Sequence, residues 1–451
     1  MFIGTTAMSA ELMQTGVEVA FDEMQEIAGI NSVLIFAHDC AAYMYRRKHN
    51  IDEASGKVID EIHVRTDPSY YEGLPYQIKR MEDSAFGDRD VLDDAIAAAE
   101  SRNMDIYARI LEAFTITDYT EGLHKVEEVD EEGNPTNKPC LNHPDYLRFV
   151  LAEWEDVIRL HPGLKGIKYG QERGGPLGEV LNGGTAQCFC EHCQKKAKDQ
   201  YGFDLDRTRP GWKALKELAQ SALDGEARPA DGWMASVLRI WMRYPEILAH
   251  TRMWQESRED HRREIYKLGK SINPELEIGW HIDHHWCWSL FGRAALDFAD
   301  MAPHSDWLSI ALYFDAAGRR MAGHFDGGIA HCFLGDLPKD MALDVYRYFA
   351  GQNPEKEPSL EAMKNEAPLS ADHVYAETKR AVDRVKGKCK IYPRVGFDLP
   401  MYNCGTTSKQ VEEAVTAALK AGPDGIFLTR EYFEVDKDHL RAAAKAIQAF
   451  T

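Results

Sequence analysis

Asn31-Ser-Val-Leu-Ile-Phe-Ala37 holds an unbroken apolar run from Val33 to Ala37 and ends on His38-Asp39. A strand with one wet face would alternate apolar and polar residues. A continuous run predicts a strand buried on both faces, as in a parallel sheet wrapped by helices. Working outward, Phe2–Ala7 reads as the strand before it, and residues 105–112, 166–172, 276–283, 307–314, 390–398 and 425–429 as six further strands. Helical patterns lie between them, at 11–28, at 90–102 with Asp90 as cap and Asn103 as stop, and at 144–160. Others run from about 235 to 271 and from 437 to 449. Val411, Ala414, Val415 and Ala418 fall at i, i+3, i+4 and i+7, which makes one apolar helix face. Eight strand–helix units predict an α/β fold, a (β/α)₈ TIM barrel with insertions after strands two, four and six. A doubly wound open sheet is the alternative. The chain reads as one barrel domain over 1–451, with an irregular insertion at about 195–235 and a helix-rich connection at about 335–370. The polar, Tyr-rich stretch 40–90 is long for a connection and predicts a loop over the site.

Composition narrows the function classes. The 451 residues are 44% hydrophobic and carry a formal charge of −20, so nucleic acid and anionic membrane surfaces are poor partners. Aromatics make up 10%, more than a disordered chain would carry. No run of eighteen apolar residues occurs, and Met-Phe-Ile-Gly-Thr-Thr-Ala-Met-Ser lacks a basic stretch followed by an apolar one. A cytoplasmic enzyme is expected, with homo-oligomerisation left open. No Gly-x-Gly-x-x-Gly or Gly-Lys-Ser/Thr loop supports nucleotide binding.

Nine cysteines are an odd number for a disulfide framework, and three of them form Cys188-Phe-Cys190-Glu-His-Cys193. In C-x-C-x-x-C the chain can turn back so that three sulfurs converge on one ion, and zinc favours four thiolates in a closed structural site. His192 lies inside the motif but competes for the same space; Cys140, in Pro139-Cys-Leu-Asn-His-Pro-Asp-Tyr146, is the better fourth ligand. The plain alternative is an unmetallated set of thiols. Cys40, Cys287, Cys332, Cys389 and Cys404 are scattered and read as ordinary buried thiols.

Cys140-Leu-Asn-His-Pro-Asp-Tyr146, a helix, Gly166-Ile-Lys-Tyr-Gly-Gln-Glu172 and then the cysteine loop together resemble glycoside hydrolase family 42, the β-galactosidases. The resemblance covers about residues 138–200 and elsewhere extends only to barrel architecture; 451 residues leave no room for that family's additional domains, so a divergent relative is expected. It implies a zinc on the four cysteines and a general acid/base at Glu172, where strand four ends. Gln171 stands in place of the family's Asn, a longer amide that can still bond a sugar hydroxyl. The family's second carboxylate is a Glu on strand seven, but this strand reads Tyr392-Pro-Arg-Val-Gly-Phe-Asp398. Asp398 is the candidate by position and Glu431, past strand eight, the reserve. Structural roles compete: Glu172 could pair with Arg173, and Asp398 could accept from the following turn.

Strand five ends Trp280-His281-Ile-Asp283-His-His-Trp286-Cys-Trp288, and alternation puts His281, Asp283 and His285 on one face of an extended strand. With His38 and Asp39 they can line a sugar site or ligate a catalytic metal. Trp286 can stack on a sugar ring or serve as core. Tyr107, Arg109, Glu112, Tyr313 and Asp315 are further rim candidates, and Arg430 is placed to bind a substrate carboxylate or sulfate unless it is held in an ion pair. The expected function is cleavage of a glycosidic bond in a small glycoside or oligosaccharide, catalysed by Glu172 with Asp398. The alternatives are a metal-dependent barrel hydrolase or lyase built on the His/Asp cluster, and a non-catalytic sugar-binding barrel.

Overall fold

The computed structural model describes residues 1–38, 64–78, 87–112, 120–399, 402 and 404–450. Eight parallel strands close into a barrel: β1 (Phe2–Ala7), β2 (Ser32–Phe36), β3 (Asp105–Leu111), β4 (Gly166–Gly170), β5 (Glu277–Ile282), β6 (Trp307–Leu312), β7 (Lys390–Val395) and β8 (Gly425–Leu428). Each pairs with its neighbours in sequence, and β1 with β8 closes the ring. Every residue of β2, β4, β6 and β8 is buried, as the apolar runs require.

Helices form the outer layer. Val17–Ala28 (α1) buries Val17, Ala20, Phe21, Met24 and Ala28 on one face and stops at Gly29, in the left-handed conformation at φ 62°. The expected single helix over 11–28 is broken: Gly16, at φ 91°, separates α1 from a short helix at Ser9–Thr15. Val91–Glu100 (α2) begins at Asp90, whose carboxylate accepts from the Leu92 and Asp93 amides. Pro144–Leu160 (α3) meets β4 through Trp154, whose ring lies 6.0 Å from that of Tyr169.

The stretch 195–235 is not irregular. It holds Glu191–Tyr201 (α4), Arg209–Leu223 (α5) and the start of Trp233–Arg243 (α6). Pro245 then ends α6 and opens Glu246–Ile272 (α7), so the long helix expected from 235 to 271 is two. Phe314–His324 (α8) follows β6, Ser408–Lys420 (α9) carries a complete capping box at Thr407 and Gln410, and Lys437–Gln448 (α10) comes last. Among the described residues, no helix is long and apolar enough to cross a membrane.

The barrel interior is layered. Its base is an aromatic plate of Phe2, Tyr107, Trp307, Tyr392 and Phe427, with Phe2 stacked on Tyr392 at 4.1 Å. Glycines make room for it: a Cβ on Gly279 would lie 2.2 Å from the Trp307 ring, and one on Gly4 2.5 Å from Phe427. Above the plate, cross-strand register sets Arg109 beside Lys168 and His281 beside Ser309, while Arg394 lies beside Ala311. A packed apolar base under a polar upper layer fixes which end of the barrel can do chemistry, namely the C-terminal end of the strands.

Candidate active site

Glu172 stands two residues past β4, and its Oε1 lies 2.7 Å from His281 Nε2 on β5. The Glu172 side chain keeps 15% exposure against 2% for His281, so Glu172 is the member of the pair a substrate can touch. Asp283 follows β5, and one ligand atom each from Glu172, His281 and Asp283 falls within 4.8 Å of the others. Strand alternation explains the grouping: 281 and 283 share one face of β5, as 168, 170 and 172 share one face of β4.

The environments of the two carboxyls pull apart. Burial pushes Glu172 up to about 7, the Asp283 charge adds to the rise, and Arg109, His285 and Arg320 restrain it. Burial also works to raise Asp283. It is outweighed by His284 and His285 and by hydrogen bonds from His285, which hold Asp283 well below the usual carboxylate range. Those bonds come from the His285 amide at 2.7 Å and its Nδ1 at 2.6 Å. Burial, with Lys168 and Arg109 beside it, holds His281 well below the usual imidazole range, so the ring is neutral and a single hydrogen bridges it to Glu172.

His285 departs from expectation. The strand ends before it, and His285–Trp288 forms a helical turn that folds the imidazole back onto Asp283. Glu172, Asp283, His285, Trp286, Arg320 and Trp241 border a cavity of about 890 Å³, within the usual range of roughly 300–1,000 Å³ for small-ligand sites. Trp286 also lies against the Arg258 guanidinium at 4.5 Å, so it is wall and packing together. Tyr313 follows β6, and its ring lies 6.1 Å from His284 and 5.9 Å from the Arg320 guanidinium.

Other predicted residues are placed elsewhere. His38 Nδ1 contacts Glu153 Oε1 on α3 at 2.5 Å, outside the ring of strands, and Asp39 lies outside the described residues. Asp398 does not join Glu172. Its backbone turns at φ 60°, and its carboxylate receives the Asp436 amide at 3.1 Å and His439 Nδ1 at 2.8 Å, tying β7 to the start of α10. Arg430 grips Glu434 through two nitrogens, the commoner fate of an arginine. Glu431 accepts from the Met8 and Phe433 amides and so pins β8 to β1; burial, with Glu11 nearby, pushes it up to about 8. Gln171 is buried with neither amide atom partnered. Arg109 joins the site with its guanidinium 4.4 Å over the Phe36 ring.

Sequence reading missed Lys168, Arg394, His284 and Arg320. For the first two the signal was present: a lysine and an arginine at inward-facing positions of apolar strands, on the faces of Glu172 and Tyr392. Arg320, on α8, donates to the His284 ring at 3.1 Å and had no local signature.

The four cysteines converge as expected. Cys140 Sγ lies 3.5 Å from the sulfurs of Cys190 and Cys193, and all four sulfurs lie within 4.8 Å of one another. A tetrahedron with metal–sulfur bonds of about 2.3 Å has edges of about 3.8 Å. The sulfurs also accept hydrogen bonds: Cys188 from the Val129 and Cys190 amides, Cys140 from the Asn142 amide and Cys193 from the Asn142 side chain. His192 packs on His143 and is not in the group. Arg173, next to Glu172, connects the two regions. It donates to the Pro139 carbonyl at 2.8 Å and pairs with Glu112 and Glu128, just ahead of Cys140.

The sequence matches no family model and no curated protein. Solved structures do align with the chain. The β-galactosidase of the psychrophilic Marinomonas ef1 aligns over 100% of this chain at 10% identity with a TM-score of 0.54. The polyextremophilic β-galactosidase of the Antarctic haloarchaeon Halorubrum lacusprofundi aligns over 99% at 13% identity with a TM-score of 0.52. The barrel is similar to those of glycoside hydrolases. The chain spans 59% and 58% of the length of these two proteins.

Proposed function

We propose that this protein hydrolyses glycosidic bonds, with Glu172 as general acid and Asp283 as its anionic partner. One observation carries the reading: two carboxyls within 4.8 Å of each other, one pushed up to about 7 and the other held well below its usual range. Carboxyls whose environments separate them in this way divide the acid and anion roles between them. Protonated Glu172 gives its proton to the leaving oxygen as the glycosidic C–O bond breaks. Asp283 meets the positive charge that develops at the anomeric carbon. We take the pair to act with retention, the outcome for which carboxyls about 5–5.5 Å apart are used. With retention, Asp283 bonds to the anomeric carbon as the leaving alcohol departs. In the second half-reaction water attacks that carbon, the bond to Asp283 breaks, and Glu172 takes the water's proton, which restores the starting state.

Glu172, His281 and Asp283 also form a set of three metal-ligating groups, which favours a metal-dependent hydrolase as the second reading. The surrounding charge opposes it: Arg109 and Arg394 are both buried around this set, and a dication there would be repelled. For the cysteine cluster we propose a structural zinc held by Cys140, Cys188, Cys190 and Cys193, closed to substrate and supporting the fold beside β4.

The test is Glu172→Gln assayed on aryl glycosides with poor leaving groups. The rate is expected to fall by about 10²–10⁴-fold, the usual contribution of a positioned acid. The wild-type rate should decline as pH rises through about 7, because the acid works only when protonated. An unchanged rate in the variant would remove the assignment. Activity lost on dialysis against chelator and restored by a divalent ion, in protein already lacking the cysteine-bound metal, would favour the second reading.

A further inference from the structure

The cavity wall changes character away from the two carboxyls. Trp286 follows His285, and Gly292 comes so close to it that a Cβ there would lie 3.0 Å from the indole ring. Beside Gly292 in the chain, the Phe291 ring lies 6.4 Å from Trp241 on α6. Both rings lean on Phe333, at 4.8 and 5.7 Å. Trp286, Phe291 and Trp241 all border the cavity, as does Leu248 on α7, which is 42% exposed. The short helix Leu290–Ala295 (LFGRAA) is mostly apolar yet buries none of its residues. Phe291, Gly292, Ala294 and Ala295 from it border the same cavity. Apolar surface left open at a cavity is the mark of a ligand site.

The polar side chains on this wall are already engaged. Beyond Glu172 and Asp283, Glu179 pairs with Lys138 at 2.9 Å and Glu256 with Arg252 at 2.7 Å. Glu259 pairs with Arg262, and Asp297 is gripped by two nitrogens of Arg384. Asp300 lies beside the same arginine. The Thr251 hydroxyl donates to the Ile247 carbonyl at 3.0 Å, and the Asn182 amide to the Gly178 carbonyl at 2.9 Å. Ser289 accepts the Gly292 amide at 3.1 Å. Trp241 Nε1, Gln255 Oε1 and His324 Nε2 have no partner, but each of these atoms is itself buried beneath the surface. A sugar can also stack on an aromatic ring, but it needs hydrogen bonds around its rim. Hydroxyls brought here would lose water and gain little in return, whereas an apolar group gives up nothing.

We propose that the leaving group of the substrate is apolar, an aryl or alkyl alcohol seated on Trp241, Phe291 and Leu248, and not a further sugar. This rests on the glycosidase reading above and names its substrate class. At about 890 Å³ the cavity has room for the bound sugar and such a group together. Aryl and alkyl groups share the required chemistry, apolar area without donors or acceptors. The alcohol departs with the proton that Glu172 supplies.

The experiment measures kcat/KM along the methyl, propyl and hexyl glycosides of glucose and galactose, in both anomers. The 2-phenylethyl glycosides and the disaccharides cellobiose, maltose, lactose and melibiose are run beside them. The alkanols ionise alike, so the series reads how the leaving group is bound and not how readily it departs. In parallel, Glu172→Gln protein is titrated calorimetrically with the methyl and hexyl glycosides. The rate constant is expected to rise about two- to fourfold with each added methylene, as burial of a CH₂ implies. The rise should flatten in Phe291→Ala and in Leu248→Asn. A hexyl lead over 2-phenylethyl assigns an alkyl chain, and the reverse assigns an aryl group. A flat series, or disaccharides cleaved as fast as hexyl glycosides, would overturn the apolar seat and leave the glycosidase reading standing. If nothing is cleaved, the glycosidase reading fails by itself. The titration then decides: hexyl glycoside bound more tightly than methyl by Glu172→Gln, with the difference lost on adding Phe291→Ala, upholds the apolar seat. Equal or absent binding overturns it. Should Phe291→Ala fail to fold by circular dichroism, Leu248→Asn, at an exposed position, carries the same comparison.

Discussion

Arg173 and Glu172 are adjacent in sequence and face opposite tasks. Glu172 points into the mouth, while the Arg173 guanidinium is buried against Glu112, Glu128 and the Pro139 carbonyl. Tyr146 donates to the same Glu112 carboxylate at 2.6 Å. Burial pushes Glu128 up to about 7 even with Arg173 beside it, so two carboxyls depend on one cation. Arg173→Ala should cost about 3–5 kcal/mol in chemical denaturation, because it leaves buried charge without a partner; a loss under 1 kcal/mol would show that the network is solvated. Residue by residue, legibility followed the reach of strand alternation. It runs unbroken from Lys168 to Glu172 and from His281 to Asp283, and it stops short of Asp398, where positive φ turns the carboxylate away. Asp283 was visible in the sequence, but its pairing with Glu172 is a property of β4–β5 register, which no single strand reveals.

At the scale of elements, the loop of three cysteines joins parts that are far apart in the chain. Cys140 precedes α3, Cys190 caps the start of α4, and Cys188 accepts from an amide of the strand Glu127–Val129. One ion at this junction would staple a hairpin and two helices to the segment that carries Glu172. Cys190→Ser is expected to drop zinc from one per chain to none by elemental analysis and to lower Tm by several degrees. Zinc retained at full stoichiometry would rule out the tetrathiolate site. The strands were legible because a short unbroken apolar run between turn residues suits little besides a strand buried on both faces. The helices over 195–235 were not. Trp212, Leu215, Ala219 and Ala222 do bury one face of α5, but Gly, Pro and charged residues around them read as loop. Gly16 breaks an otherwise continuous helical pattern by backbone conformation alone.

Across the whole molecule, buried ionisable groups set how stability varies with pH. Burial raises Glu128 and Glu172 to about 7 and Glu431 to about 8, so these carboxyls keep protons that the unfolded chain releases near 4.5. Their contribution is lost as pH rises from about 4.5 through 8. Burial lowers His250 to about 3 and His324 to about 4, so these rings stay neutral while the unfolded chain binds protons below 6.5. Their contribution is lost as pH falls below 6.5. Lys168, buried and held low, opposes the carboxyls at alkaline pH. Denaturation curves are expected to show greatest stability between about pH 4.5 and 6.5 and a decline towards 8 that Glu431→Gln flattens; a maximum above pH 8 would contradict these shifts. The aromatic plate has a kinetic consequence as well. Among the described residues it closes the base of the barrel, so on the proposed glycosidase reading a sugar held lowest, against Glu172, would depart after a leaving group placed above it towards Trp241. Turnover then has an enforced exit order. The free sugar should inhibit competitively and the released alcohol noncompetitively, and the reverse pattern would mean that a second way out exists.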